Sequence, residues 1–170
     1  MLASIAQYLN NIGSGTDRRV HQSILAGIGG TMATQSIRTA GLVTNAANTA
    51  RIGAAAYYAC VRGKLVTIAA NLDMPALVGS VSNATFNAYV FYVNANSVVT
   101  TRMGTAGATL AGVTFPDTPP DLAIVGFIII NPTGAGPFVG GSTALADVTV
   151  VPNVVFISPM GSFDPTILYG

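Results

Sequence analysis

Apolar and polar positions follow helical spacing at the start of this 170-residue chain and strand-like spacing later. A first short amphipathic helix, ended by Gly13, is predicted by apolar residues at helical spacing, namely Leu2, Ile5, Leu9 and Ile12. A second is predicted after Ser14–Asp17, with Val20, Ile24 and Ile28 on one face. Residues 31–48 contain many small residues without a clear period, which indicates an extended arm or linker on a surface.

From residue 51 onward, β-branched and aromatic residues typical of strands dominate. Residues 55–69 predict a hairpin that turns at Arg62-Gly63, and residues 85–103 predict another that turns at Asn94–Asn96. Thr109–Thr114 is a shorter candidate strand, and the prolines of "FPDTPPD" predict a loop after it.

The unbroken apolar run from Leu122 to Ile130 predicts a strand buried on both faces. In a sandwich of this size, a second sheet would cover one face, and another chain or the N-terminal segment would cover the other. Val148–Ser158 is the last predicted strand, interrupted at Pro152. We therefore predict a mainly β chain, with a β-sandwich or jelly-roll-like domain over residues 51–170 and an N-terminal helical or extended arm over residues 1–50.

Charge is scarce and unevenly distributed. Charged residues make up 8% of the chain, against about 25% in typical domains. All the basic residues lie at or before Arg102, and every charged residue after it is acidic. This asymmetry predicts that the N-terminal part faces an acidic partner. The longest apolar run is far shorter than the roughly 20 residues that a membrane-spanning helix needs, so we predict no membrane association.

Few side chains could carry out chemistry, and we predict neither enzymatic activity nor a cofactor. The single histidine, His21, is interpreted as a surface or interface residue, and the single cysteine, Cys60, as a small core residue. Asp117 and Asp121 could share a calcium ion with loop carbonyls, but turn formation is the simpler interpretation. The glycine-rich stretches lack the spacing of phosphate-binding loops, and the few basic residues do not indicate nucleic-acid binding.

The region from Arg51 to Ser158 resembles structural proteins of tailed bacteriophages. The resemblance is carried by turns and strand anchors, namely Gly63-Lys64 with Ala69-Ala70, Phe91–Val93, Pro116 to Gly126 and Phe138 to Leu145. It implies that the chain is made in the bacterial host cytoplasm and lies on the capsid surface of the virion, and it implies no active site.

Within such virions, the resemblance implies a head decoration or cement protein, commonly a homotrimer, that binds the outside of the capsid and bridges major capsid subunits. Expected contacts to the capsid are four arginines and four apolar anchors, namely Arg18, Arg19, Arg38, Arg51, Ile5, Leu9, Ile24 and Ile28. An alternative is a tail fibre, spike or head-fibre component that binds a host receptor. A third alternative is a small hydrolase or a carbohydrate-processing domain that would use Asp117 and Asp121 as paired carboxylates.

Overall fold

A computed structural model describes residues 19–26, 33–45, 48–161 and 163. Residues 19–26 are helical, and antiparallel strands dominate the rest, so the predicted mainly β class is confirmed. The first sheet has the order β1-β4-β5 and contains β1 (Gln35–Arg38), β4 (Tyr57–Val61) and β5 (Lys64–Ile68). The second has the order β11-β9-β7-β8 and contains β7 (Asn87–Val93), β8 (Val99–Met103), β9 (Ala123–Ile130) and β11 (Val155–Ile157).

Two short strand pairs complete the fold. They join β2 (Val43–Thr44) to β3 (Ala50–Arg51) and β6 (Ser80–Val81) to β10 (Phe138–Val139). Both predicted hairpins are confirmed, as β4–β5 and β7–β8. Arg62 and Gly63 form the β4–β5 turn with positive φ angles of 52° and 81°, as a two-residue hairpin turn of the favoured twist requires.

The two sheets pack face to face around one large core. Period-two alternation turns Tyr57 and Val66 of the first sheet inward, where they join Tyr89, Phe91 and Ile128 of the second sheet in one apolar cluster. This arrangement is the sandwich that the sequence predicted.

Strands β7 and β9 are buried along their whole lengths on both faces, as predicted for Leu122–Ile130. The second face carries its own cluster, in which the Phe127 ring lies 5.0 Å from the Phe115 ring and 5.2 Å from the Phe163 ring, between centroids. The described chain therefore supplies this cover itself. The expectation that another chain or the N-terminal segment was needed there is wrong, because the proline-rich loop that begins at Phe115 folds back over the sheet.

A β-bulge in β9 sets which side chains reach the main core. Phe91 lies opposite Gly126 and Tyr92 opposite Ile124, so β9 has one extra residue, Val125, at this point. Below the bulge, the Ile124 carbonyl accepts hydrogen bonds from Ser36 Oγ (2.6 Å) and the Tyr57 hydroxyl (3.1 Å). The two hydroxyls also lie 2.7 Å apart, so one buried polar cluster ties β1 and β4 to β9.

Residues 33–45, predicted as part of a surface arm, lie instead within the sandwich. β1 pairs with β4, and Ser36, Ala40 and Leu42 are buried. Gly126 makes room for this segment, because a Cβ atom at that position would lie 2.6 Å from Leu42 Cδ1. The β domain thus begins well before Arg51, and the predicted boundary at residue 50 divides a segment that the core contains.

Three smaller predictions also change. Leu110–Gly112 form a 3₁₀ helix where Thr109–Thr114 was predicted to be a strand. Only Val155–Ile157 of the predicted last strand pairs in a sheet. The connection after β9 contains β10, whose Phe138 packs edge-on against Tyr89 at 6.0 Å between ring centroids. The predicted helix at Leu2–Ile12 lies outside the described residues.

Two buried tyrosines form a matched pair for testing the polar cluster. The Tyr57 hydroxyl bonds to Ser36 and to the Ile124 carbonyl, whereas the buried Tyr89 hydroxyl has no hydrogen-bond partner among the described residues. Tyr57→Phe should lower the free energy of unfolding by about 1–2 kcal/mol, and Tyr89→Phe should leave it unchanged or raise it by about 1 kcal/mol. Chemical denaturation of both variants measures this difference. Equal destabilisation would show that the Tyr89 hydroxyl has a partner after all.

The same tyrosines predict a loss of stability at alkaline pH. Burial raises the pKa of Tyr57 to about 12, opposed in part by its hydrogen bond with Ser36, and burial also raises the pKa of Tyr89 to about 12. Because the unfolded value is about 10, the folded state holds these protons more tightly. Their contribution to the free energy of unfolding should be fully present below about pH 10. Above it, the free energy of unfolding should fall by about 1.4 kcal/mol per pH unit for each tyrosine as the pH rises toward 12. Denaturant titrations across this range should show a shallower fall in Tyr57→Phe.

Truncation tests the corrected domain boundary. A chain without residues 1–32 keeps β1 and should unfold cooperatively like the full chain. A chain without residues 1–50 loses Ala40 and Leu42 from the core and β1 from the first sheet. Since the loss of one buried leucine side chain alone costs about 2–5 kcal/mol, this shorter chain should be unfolded or severely destabilised. Thermal unfolding followed by circular dichroism distinguishes the two, and equal stability would restore the boundary at residue 50.

Candidate interaction surface

The outward side of the first sheet is a surface of mixed apolar and basic character. Strand alternation that turns Val66 and Ile68 inward leaves a set of side chains pointing away from the core. We call this set the outer face; it consists of Gln35, Ile37, Arg38, Tyr58, Cys60, Leu65 and Thr67. A register shift in β1 between Ser36 and Arg38 adds Ile37 to it as an extra residue. Leu65 is 63% exposed and Ile37 is 49% exposed.

Basic residues lie at both ends of the outer face. Arg38 lies opposite Tyr58 at one end, and the exposed Arg62 and Lys64 lie at the β4–β5 turn at the other. The three strands themselves contain no acidic residue. Arg62 was not among the sequence-predicted contacts, although the two-residue turn predicted at Arg62-Gly63 places it at the end of the outer face; Lys64 lies opposite the buried Val61, so alternation turns its side chain to the other side of the sheet from Leu65.

The structure distributes the predicted contact residues unevenly. Arg38 lies on the outer face, while Arg19 and Ile24 belong to the helical residues 19–26, which are all exposed. Ile24 is 52% exposed, so it is available as an apolar anchor. The remaining predicted contacts, namely Ile5, Leu9, Arg18 and Ile28, lie outside the described residues.

Arg51 serves the fold of its own chain. Its guanidinium nitrogens Nε and Nη2 donate to Asp73 Oδ1 at 3.1 and 3.0 Å, and the two backbones form a β-bridge. This contact joins β3 to the segment after β5, and the carboxylate balances the arginine charge. Arg51 is therefore a weaker candidate for an acidic partner than Arg38.

Buried hydroxyls do not form a reactive site. Ser36 and Tyr57 are enclosed in the core, and burial raises the pKa of Tyr57 to about 12, further from the pH range of general acid–base catalysis. Within the described ranges, no three His, Cys, Asp or Glu side chains converge as metal ligands would. Cys60 is half-buried on the outer face.

The proline-rich loop is held in place as a cover. The Tyr92 hydroxyl donates to the Pro116 carbonyl (3.1 Å), and Arg102 Nη1 donates weakly to the Asp117 carbonyl (3.4 Å) while its guanidinium lies 5.6 Å from the centre of the Tyr92 ring. Asp117 and Asp121 are exposed on this loop. Asp121 lies in a turn closed by the Leu122 N–H donating to the Pro119 carbonyl, as interpreted from the sequence, whereas Asp117 lies in a part of the loop that is not a turn.

Among helices in the described part of the chain, none has the length and apolar character needed to cross a membrane. Comparisons with protein-family models, curated proteins and solved structures find no match to this chain.

Proposed function

We propose that this chain is a structural protein of a tailed-bacteriophage virion, a head decoration or cement protein that binds the outside of the capsid and bridges major capsid subunits. The observation that carries the proposal is a completed core beneath a surface that still exposes large aliphatic side chains. Val78 is 76% exposed, Val148 is 71% exposed and Leu65 is 63% exposed. A subunit of a permanent assembly can bury such side chains against neighbours and needs little charge.

The outer face and the N-terminal segment are the proposed capsid contacts. Arg38 and Arg62 would face acidic groups on the major capsid protein, with Ile37 and Leu65 supplying apolar contact. Arg19 and Ile24 of the helical residues, together with Arg18, Ile5, Leu9 and Ile28, would extend this contact. Arg51 is left out, because Asp73 already pairs with it. The chain would associate as a homotrimer on the virion surface.

The distribution of aromatic residues favours a decoration role over receptor binding. A receptor-binding tip that recognises glycans would present tyrosine or phenylalanine on exposed loops, whereas every aromatic residue in the described ranges is buried or half-buried. The hydrolase alternative has less support, because Asp117 and Asp121 lie on a loop that serves as a cover for the second sheet.

Binding to empty capsid shells tests the proposal. Shells assembled from the major capsid protein of the same virus should co-sediment with this chain in a saturable way. Arg38→Glu should weaken binding at least tenfold by placing a negative charge against an acidic surface. Thr100→Glu is the control, because it adds an acidic side chain at an exposed position of the other sheet, and it should bind within about twofold of wild type. Absence of saturable binding by the wild-type chain would overturn the proposal.

Native mass over a dilution series tests the trimer separately. The chain has a mass of 17.2 kDa, and a species of three times that mass that persists at nanomolar concentration would support a permanent trimer. A monomer under these conditions would refute the trimer without affecting capsid binding.

A further inference from the structure

The first sheet has one closed edge and one open edge. At the closed edge, Ser36 of β1 exchanges backbone hydrogen bonds with Gly161, at 3.3 and 2.7 Å. At the other end of the sheet, β5 pairs only with β4, and no backbone partner among the described residues contacts its far side. Within the described part of the chain, this edge is available to another strand.

The β4–β5 turn determines which β5 atoms point outward. A two-residue hairpin turn makes Val61 and Lys64 a hydrogen-bonded pair, so Val66 and Ile68 also bond to β4. The N–H and C=O groups of Leu65 and Thr67 therefore point away from the sheet. The edge offers two donors and two acceptors in a fixed spacing.

The side chains of β5 do little to protect this edge. Leu65 is 63% exposed, and the only charged residue of the strand is Lys64, beside the turn. The edge strand of the second sheet, β8, differs in that its middle carries the exposed pair Thr100 and Arg102. Charged and polar residues are the usual means by which proteins prevent strands from adding to an edge.

We infer that β5 pairs antiparallel with β5 of a second copy of this chain, about a twofold axis at Val66. In this register Leu65 of each copy lies opposite Thr67 of the other, so all the outward backbone groups of both residues form hydrogen bonds. Centring the axis on Leu65 or Thr67 would leave one of the two residues without a partner in the opposite strand. The self-complementary spacing of the edge thus selects one register.

The charges and side chains of β5 are compatible with this pairing. Lys64 lies opposite Ile68 of the other copy, and the two lysines are about 13 Å apart along the strands, which exceeds the screening length of about 10 Å at 0.1 M salt. Each exposed Leu65 gains cross-strand contact with a threonine. The result is a continuous six-strand sheet in the order β1-β4-β5-β5-β4-β1.

A contact of this kind is weak and pairwise. One strand pair buries much less than the roughly 1,000 Å² typical of a stable interface, so association should require high concentration. Because the contact is isologous, it joins two copies, or two trimers, and cannot build a threefold assembly. It does not depend on the proposed virion role, which would only raise the local concentration of the chain.

Disulfide trapping tests the register directly. In a Cys60→Ala background, Leu65→Cys and Thr67→Cys are made in separate chains, which are then mixed at high concentration and oxidised mildly. Opposed Cα atoms in the inferred pair lie about 5.5 Å apart, within disulfide range, whereas the two copies of residue 65 lie about 9 Å apart. The mixture should give several-fold more disulfide-linked dimer than either variant alone.

Two edge variants test the contact by a second route. Thr67→Pro removes an N–H that β5 does not use in its own sheet, so the chain should fold normally while the edge is blocked. Leu65→Lys adds charge to the edge without altering the backbone. Both should abolish the rise of native mass with concentration, while Leu72→Lys, which changes an exposed leucine away from the edge, should not. If Thr67→Pro does not fold, Leu65→Lys alone decides this measurement.

Three outcomes would overturn the inference. These are a wild-type chain that shows no rise in native mass at millimolar concentration, equal trapping in either single variant, and Leu65→Lys that associates like wild type. Failure of the virion proposal would appear elsewhere, as a loss of co-sedimentation with shells while the mixed cysteine variants still form dimers.

Discussion

The pairing of β7 with β9 is the constraint on which the rest of the fold depends. Both strands are apolar along their whole lengths, so both faces of this pair must be removed from water. The first sheet covers one face, and Phe115 and Phe163 cover the other. The covering segments come from three parts of the sequence, because the first sheet precedes β7, Phe115 lies between β7 and β9, and Phe163 follows β9.

Burying a strand pair this completely also buries its backbone carbonyls, and the hydroxyl cluster supplies hydrogen-bond donors to one of them near the bulge. A backbone carbonyl in such a core needs a donor, since leaving it unpaired costs about 1–3 kcal/mol. The Ile124 carbonyl, next to the bulge, receives the hydroxyls of Ser36 and Tyr57. The same contact fixes the first sheet against the second, so one polar cluster sets the relative position of the two layers.

The elements that could be predicted from sequence were those with strong local signals. The Arg62-Gly63 turn and the apolar run of β9 can each be recognised from a stretch of a few residues. The segment 33–45 could not be placed, because its buried residues are small ones such as Ser36 and Ala40, which form no visible apolar pattern. Likewise, Arg51 and Asp73 are 22 positions apart in sequence and meet only in the folded chain. From the sequence, Arg51 was therefore predicted to contact an acidic partner.

The candidate surface also could not be predicted from sequence alone. Its members come from three strands, and only the register of those strands brings Arg38 and Leu65 onto one face. The structure also narrows the explanations for the scarcity of charge. Since the chain covers β9 by itself, the low charge cannot be explained by a need for partners over that strand. The low charge has its effect at the edge of the first sheet. There, β5 carries an exposed leucine and few of the charges that normally keep sheet edges apart.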